Sequence, residues 1–495
     1  MDSPHPGQVA LRPASTYKSD VYAELIFLVL LQDFAIHSLI SIVFPGAINS
    51  STVISIMLRQ EDNPQNHSEN KIKIGSKRKI AFVCSGGATK AGAFHLGVAL
   101  ALKEQGFKFL GGTRASTQIH SAPEPMEIST YVGSSAGSII SSYLAAGYSL
   151  ENIFSSFLGK DVAHLDQRDL YPKRLPRLTY QKMFKLRSSS LVGQAGQLTR
   201  LHKIFSSLVD AHWEDLIQFK WLKVSGLFST AGIEQYMREE VLFSNQFQDY
   251  LADLFIVATQ LDHSRKVVFG KYNFQPPPHD LSCQYESNAL ISDACAASTA
   301  LPVIFSPHLI KTQDEKESYF IDGEIRDTLS SHVAVDNGAD LVIASYTHQP
   351  YHLSQELGSL TNYGLPSIVI QSIYLVIEQK INNHIYNKQS QRNAISSVSD
   401  YCKSVGLSEE HRRMICNILE KEFHHRMDVD TIYIHPKPTD SRLFFGEHFS
   451  LSPKKMAEIV RSGFHAAIDT LKKYEFEDRK VEHAIGSSRM SEEIN

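Results

Sequence analysis

A chain of 495 residues, at about 150 per domain, has room for roughly three compact units, which excludes a peptide or a small disulfide module. Its composition, 42% hydrophobic and 21% charged, lies in the globular range, and a formal net charge of −4 removes the electrostatic case for nucleic acid as a partner. Five cysteines (Cys84, Cys283, Cys295, Cys402 and Cys416), odd in number and without a C-x-x-C pair, argue against a disulfide framework or a zinc ribbon.

The first apolar run, residues 25–44 (LIFLVLLQDFAIHSLISIVF), is long enough at helical rise to cross a bilayer of about 30 Å. Gln32, Asp33 and His37 interrupt its middle, and one Asp near the bilayer centre costs about 2.5–3.5 kcal/mol. Asp33, His37 and Ser41 recur every four residues and draw one polar stripe along an otherwise apolar helix. The run therefore reads first as a helix that packs on protein or lies in a membrane interface, and second as a true span. Asp20 and Glu24 stand before it with no basic segment, which argues against a cleaved signal peptide. Residues 1–60 form an N-terminal arm in this reading. Residues 61–78 follow as a linker, because Ile72 and Ile74 alone cannot supply a core face.

From Lys79 the pattern changes. Ile80–Cys84 is an apolar run, Ser85, Gly86 and Gly87 make a small-residue turn, and Phe94, Val98 and Leu102 recur at helical spacing, so the segment reads strand, tight loop, helix. Two glycines before a helix N-terminus let backbone amides approach a phosphate or an oxyanion, although a plain strand-to-helix turn can carry the same residues. The segment is neither G-x-x-x-x-G-K-[ST] nor G-x-G-x-x-G, which lowers the nucleotide reading.

The next such unit places G-x-S-x-G, Gly133 to Gly137, between a short strand through Tyr131 and Val132 and a following helix. Such a turn presents a serine Oγ above the sheet edge, and only Ser135 has glycine at both −2 and +2, which makes it the candidate nucleophile. Its base must come from elsewhere. Tyr319–Ile321 reads as a strand ending at Asp322-Gly323, and ligands in open α/β sheets gather at the carboxyl edge, so Asp322 is the candidate. His332, His348 and His352 follow it and keep a Ser-Asp-His triad open beside a Ser-Asp dyad.

In order and content these pieces resemble the patatin-like phospholipase family. SGGATKAGAFHLGV (85–98) is similar to its glycine-rich oxyanion loop with a basic residue, here Lys90. GSSAG (133–137) resembles its nucleophile elbow, and DGE (322–324) stands where the family usually has Asp-Gly followed by Gly or Ala. LFIVATQLDHSRKVVFG (254–270), ACAASTALPVIFSP (294–307) and FSLSPKKMAEIVRSGFHAAIDTL (449–471) resemble further segments, the last its closing helix. The likeness runs over about residues 79–345.

The resemblance implies an α/β, three-layer fold with a central, mostly parallel sheet, and lipid acyl hydrolysis without cofactor or metal. It implies a dyad of Ser135 and Asp322, with the amides of Gly86, Gly87 and Ala88 as oxyanion hole. Ala88 and Ala91 stand where many members have glycine, which bears on the loop's φ values. Glu324 adds a carboxylate beside Asp322 and is expected to face solvent. An acyl-lipid substrate and a membrane surface are the implied partners, at a membrane-associated or cytoplasmic location. Some members of the family are delivered into other cells and depend on a host activator, and the resemblance leaves both open here. A non-catalytic lipid or protein binding module on the same core is the third reading.

DLYPKRLPRLTYQKMFKLR (169–187) interleaves six basic residues with apolar ones, so Lys173, Arg174 and Arg177 join Lys90 as candidate contacts to anionic lipid, with a solvated face as the plain alternative. His424, His425, Asp428 and Asp430 form neither HExxH nor an EF-hand loop. Two Asn-x-Ser sequons, at Asn49 and Asn66, occur no more often than chance supplies. Residues 346–475 read as a mainly helical region that supports the sheet, with helices near 367–388 and 409–425, and 476–495 as a polar tail.

Overall fold

In the computed structural model the described residues are 71–115, 124–159, 174–186, 228–274, 281–302, 304–311, 317–326, 328–353, 358–437 and 450–478. The N-terminal apolar run, most of the expected linker, Lys173 and most of the polar tail lie outside them. Among the described residues no helix is long and apolar enough to cross a membrane.

The strands in chain order are β1 (Ile72–Ile74), β2 (Ile80–Cys84), β3 (Lys108–Phe109), β4 (Glu127–Ser134), β5 (Lys185–Leu186), β6 (Phe228–Ser229), β7 (Asp253–Gln260), β8 (Arg265–Phe269), β9 (Cys283–Glu286), β10 (His308–Lys311), β11 (Glu317–Asp322), β12 (Leu341–Ser345), β13 (Asp430–Ile434) and β14 (Tyr474–Phe476). The principal helices are α1 (Ala88–Glu104), α2 (Ala136–Ala145), α3 (Leu150–Leu158), α4 (Ile291–Ser298), α5 (Ser331–Asp336), α6 (Gly364–Ser404), α7 (Glu409–Phe423) and α8 (Pro453–Leu471).

The main sheet runs β10-β11-β7-β4-β2-β12-β13, parallel from β7 to β13 and antiparallel at β10 and β11. A parallel sheet is covered on both faces, which is why IAFVC of β2 and LVIAS of β12 are apolar throughout and buried at every position. The period of two then divides the core. Ile80, Phe82, Ile256 and Ile343 point into one cluster with Phe94, Leu96 and Ile140 of α1 and α2. Ala81, Val83, Val257 and Val342 point into another with Val333 of α5 and Ile381 of α6. Helices, sheet, helices: the three-layer α/β arrangement implied by the resemblance is the one observed.

α8 is held against α1 by backbone contact. A Cβ on Gly97 would lie 1.9 Å from the Val460 carbonyl oxygen, and one on Gly463 would lie 2.2 Å from that of Phe94. Glycine at both crossing points lets the two helices approach beyond what any side chain allows.

Four expectations need correction. Ile72 and Ile74, assigned to the linker, form β1, which pairs in parallel with β14 at the far end of the chain. Ile74 is buried in the main core, and Phe476, assigned to the tail, packs edge-on against Phe107 at 5.1 Å. Two apolar residues suffice because the partner strand supplies the rest of the surface. α7, expected to support the sheet, buries none of its residues. The sheet also takes its outer parallel strand, β13, from beyond residue 345.

The compact unit holding the sheet runs to His352 and resumes at Tyr374. Between them the described residues form a short 3-10 turn, Leu360–Tyr363, and the start of α6.

Candidate active site

Ser135 stands between β4 and α2 with φ 51 and ψ −126, a conformation non-glycine residues rarely adopt and that costs about 1–3 kcal/mol. The sharp turn is possible because the residues two before and two after it, Gly133 and Gly137, have no side chain. A Cβ on Gly137 would lie 2.1 Å from the Cys84 carbonyl oxygen and 2.7 Å from that of Ser85. These are backbone atoms that cannot move aside, so Gly137→Ala should lower stability by about 3 kcal/mol or more, measured as a fall in thermal midpoint. An unchanged melt would show that the elbow can widen.

The register of β7 explains how Asp322 meets this serine. β8 occupies one edge of β7 over Ile256–Gln260. Along the opposite edge β4 pairs in parallel up to Ser134 opposite Val257, and β11 pairs antiparallel with Asp322 opposite Ala258. The two strands therefore end head to head on consecutive residues of β7. Ser135 is 7% exposed and Asp322 2%. Burial pushes the Asp322 carboxyl up to about 6, opposed by hydrogen bonding from the Ser135 side chain and the Glu324 backbone N–H. The last of these is 2.9 Å long and closes the turn after β11. No histidine is among these partners of Asp322.

Three further residues organise the elbow and the loop. Ser298, at the end of α4, accepts the Ser135 N–H at 2.8 Å and donates to the Val257 carbonyl at 2.6 Å, tying the elbow to β7. His95 of α1 lies 2.8 Å through Nε2 from the Ser85 carbonyl oxygen and 2.7 Å through Nδ1 from Ser345 Oγ. A carbonyl only accepts, so Nε2 carries the proton and Nδ1 accepts from Ser345. Burial pushes His95 down to about 4 and keeps it neutral. Both residues lie in segments that resemble the family, but only tertiary contact assigns them a task.

Glu324 is the third, and here the expectation fails. Its side chain does not face solvent. Oε1 accepts the Gly86 N–H at 2.7 Å and the Ser134 hydroxyl. A Cβ on Gly86 would lie 2.4 Å from Glu324 Cγ and 2.9 Å from Ser135 Cβ, so loop, elbow and carboxylate meet at one point. The turn closed by Asp322 aims residue 324 back over β4, where the two donors offset the desolvation of Oε1. Ala88 holds φ 57, a left-handed value where glycine would be unstrained.

The basic candidates scatter. Lys90 is 1% exposed, with Nζ donating to Tyr374 Oη at 2.9 Å and lying 5.2 Å from that ring's centroid. His348 meets the same ring edge-on at 5.7 Å; burial and the Lys90 charge push it down to about 3. Arg177 donates to the Leu451 carbonyl at 2.6 Å, while Arg174 is exposed. Among the described residues no cluster of three or more His, Cys, Asp or Glu side chains is arranged to hold a metal ion.

Comparison with curated proteins returns no match. A family model described as patatin-like phospholipase matches residues 82–335. That match starts within β2, ends within α5 and takes in the loop, the elbow and the Asp-Gly turn, just over half of the chain. The chain therefore belongs to the patatin-like phospholipase family.

Proposed function

We propose that the chain hydrolyses fatty-acyl esters of phospholipids or lysophospholipids through a Ser135–Asp322 dyad and an acyl-enzyme. The observation that carries this reading is Ser135 on a strained elbow within hydrogen-bonding reach of a buried Asp322 whose carboxyl is raised to about 6. An ordinary carboxylate, with a pKa near 3.9, is a weak base for a serine hydroxyl; one near 6 is stronger yet still ionised at neutral pH.

Asp322 accepts the Ser135 proton as Oγ attacks the acyl carbonyl carbon. The negative charge on the carbonyl oxygen develops toward the amides of Gly86, Gly87 and Ala88, and the N-terminus of α2 favours the same sign of charge at Oγ. Asp322 returns the proton to the departing alcohol oxygen, leaving an ester between Ser135 and the fatty acid. Water, giving its proton to Asp322, then attacks that ester; the fatty acid leaves and Ser135 regains its hydrogen.

The dyad is favoured over a triad because, among the described residues, the partners of the Asp322 carboxylate are the Ser135 side chain and the Glu324 N–H. Of the two nearest downstream histidines, His332 faces Lys266 at 2.7 Å and His348 packs on Tyr374. Arg174, exposed before the short helix Tyr180–Met183, remains a contact for anionic lipid, and Lys173 beside it belongs to the same proposal.

Acid-quenching the full chain during turnover of phosphatidylcholine or lysophosphatidylcholine vesicles should leave an acyl mass on the peptide holding Ser135. Serine-independent release of fatty acid, persisting in Ser135→Ala, would overturn the reading.

A further inference from the structure

A loop amide can stabilise an oxyanion only while its N–H is free to donate. In this chain the Gly86 N–H is engaged, 2.7 Å from Glu324 Oε1. The same oxygen accepts the hydroxyl of Ser134, itself 2% exposed and adjacent to Ser135, so the carboxylate is held from two sides. It also fills the space over Gly86, Cγ lying 2.4 Å from where a Cβ would stand. A carboxylate at that point takes up a donor and sets negative charge where the reaction would develop negative charge.

Glu324 also has a way out. It sits in the one-turn helix Gly323–Ile325, and unlike buried Asp322 it is only partly covered. Ile325 beside it is 49% exposed and Arg326 is exposed. Rotation of this side chain toward solvent leaves the strand pairing of Asp322 with β7 in place, because that pairing is made by β11 before the turn.

We propose that Glu324 is a built-in stopper: in the resting chain its carboxylate occupies the Gly86 amide beside Ser135, and turnover requires its withdrawal. The inference rests on the Ser135–Asp322 reading and adds a closed resting state to it.

The test is the rate at which an alkyl fluorophosphonate labels Ser135 in the full chain, followed by intact mass. In that reaction phosphorus bonds to Oγ, fluoride leaves, and the serine proton passes to Asp322, with the phosphoryl oxygen needing the loop amides. Losing one oxyanion donor costs about 100-fold or more, so freeing one in Glu324→Ala should speed labelling about tenfold or more. Glu324→Gln, which keeps the size and loses the charge, should also label faster, by a smaller factor. Ser135→Ala in either background should not label. Labelling that depends on Ser135 but is equal or slower in Glu324→Gln, with a wild-type melt, would overturn the stopper and make Glu324 a tie that organises the loop, leaving the dyad intact. Absence of Ser135 labelling in every chain would overturn the dyad and the stopper together. The Gln variant decides if the Ala variant loses its cooperative melt.

Discussion

Replacing Ser135 by alanine should reduce fatty-acid release from phospholipid vesicles by about 10³-fold or more, to the level of the lipid alone. The size follows from the chemistry: without Oγ no acyl-enzyme forms, and loop amides alone leave water to attack without a positioned base. Stability should barely change. The substitution removes one oxygen and keeps the backbone contact of residue 135 with Ser298, which is made by its N–H. Alanine tolerates φ 51 no better and no worse than serine. A thermal midpoint within a few degrees of wild type, together with lost release, is the expected pair of results. Release above about one-hundredth of wild type would place the nucleophile elsewhere.

Asp322→Asn should lose activity to a similar degree and gain stability, a combination that a merely structural aspartate would not show. Burial raises the folded-state carboxyl from 3.8 to about 6, so the ionised form is disfavoured in the fold relative to the unfolded chain. The stability this group contributes is fully present below pH 3.8 and is lost as pH rises through about 6. At one pKa unit per 1.36 kcal/mol, the cost near neutral pH is at most about 3 kcal/mol. Asparagine can still accept the Glu324 N–H through its side-chain oxygen and carries no charge to desolvate. Asp322→Asn should therefore melt above wild type at pH 8, with the gap closing toward pH 4. Activity of the wild type should run the other way, rising with pH through about 6 as Asp322 ionises and becomes able to accept the serine proton. A pH profile flat between 5 and 7, or a variant that melts below wild type at pH 8, would show that Asp322 is neither raised nor the base.

The parts of the site differ in how far their residues announce them. The unit Ile80–Cys84, Gly86-Gly87 and α1 is legible because an apolar run, a glycine pair and a helical period follow one another within two dozen residues. The elbow at Ser135 is legible for the same reason, and so is the strand that ends at Asp322. Glu324 misleads. A charged residue after Asp-Gly ordinarily turns to solvent, and only the donors Gly86 N–H and Ser134 Oγ, both far away in sequence, draw it inward. Lys90 misleads likewise, since a basic residue after a glycine-rich loop suggests an anion, whereas its partner Tyr374 lies on α6. β1 was hidden because a three-residue strand has no periodicity to display; its partner is the last described strand of the chain.

The sequence by itself determined the local units: which runs become buried strands, which serine stands at the elbow, which aspartate closes a strand, and the family to which these belong. Such features depend on backbone conformation and side-chain periodicity over a few residues, so they are written contiguously. Only the tertiary structure decided that β4 and β11 end head to head on Val257 and Ala258, that Ser298 and His95 brace the elbow and the loop, and that Glu324 caps Gly86. Each of these is a contact between segments tens to hundreds of residues apart, set by strand register and packing around a shared sheet, for which no local pattern supplies the partner.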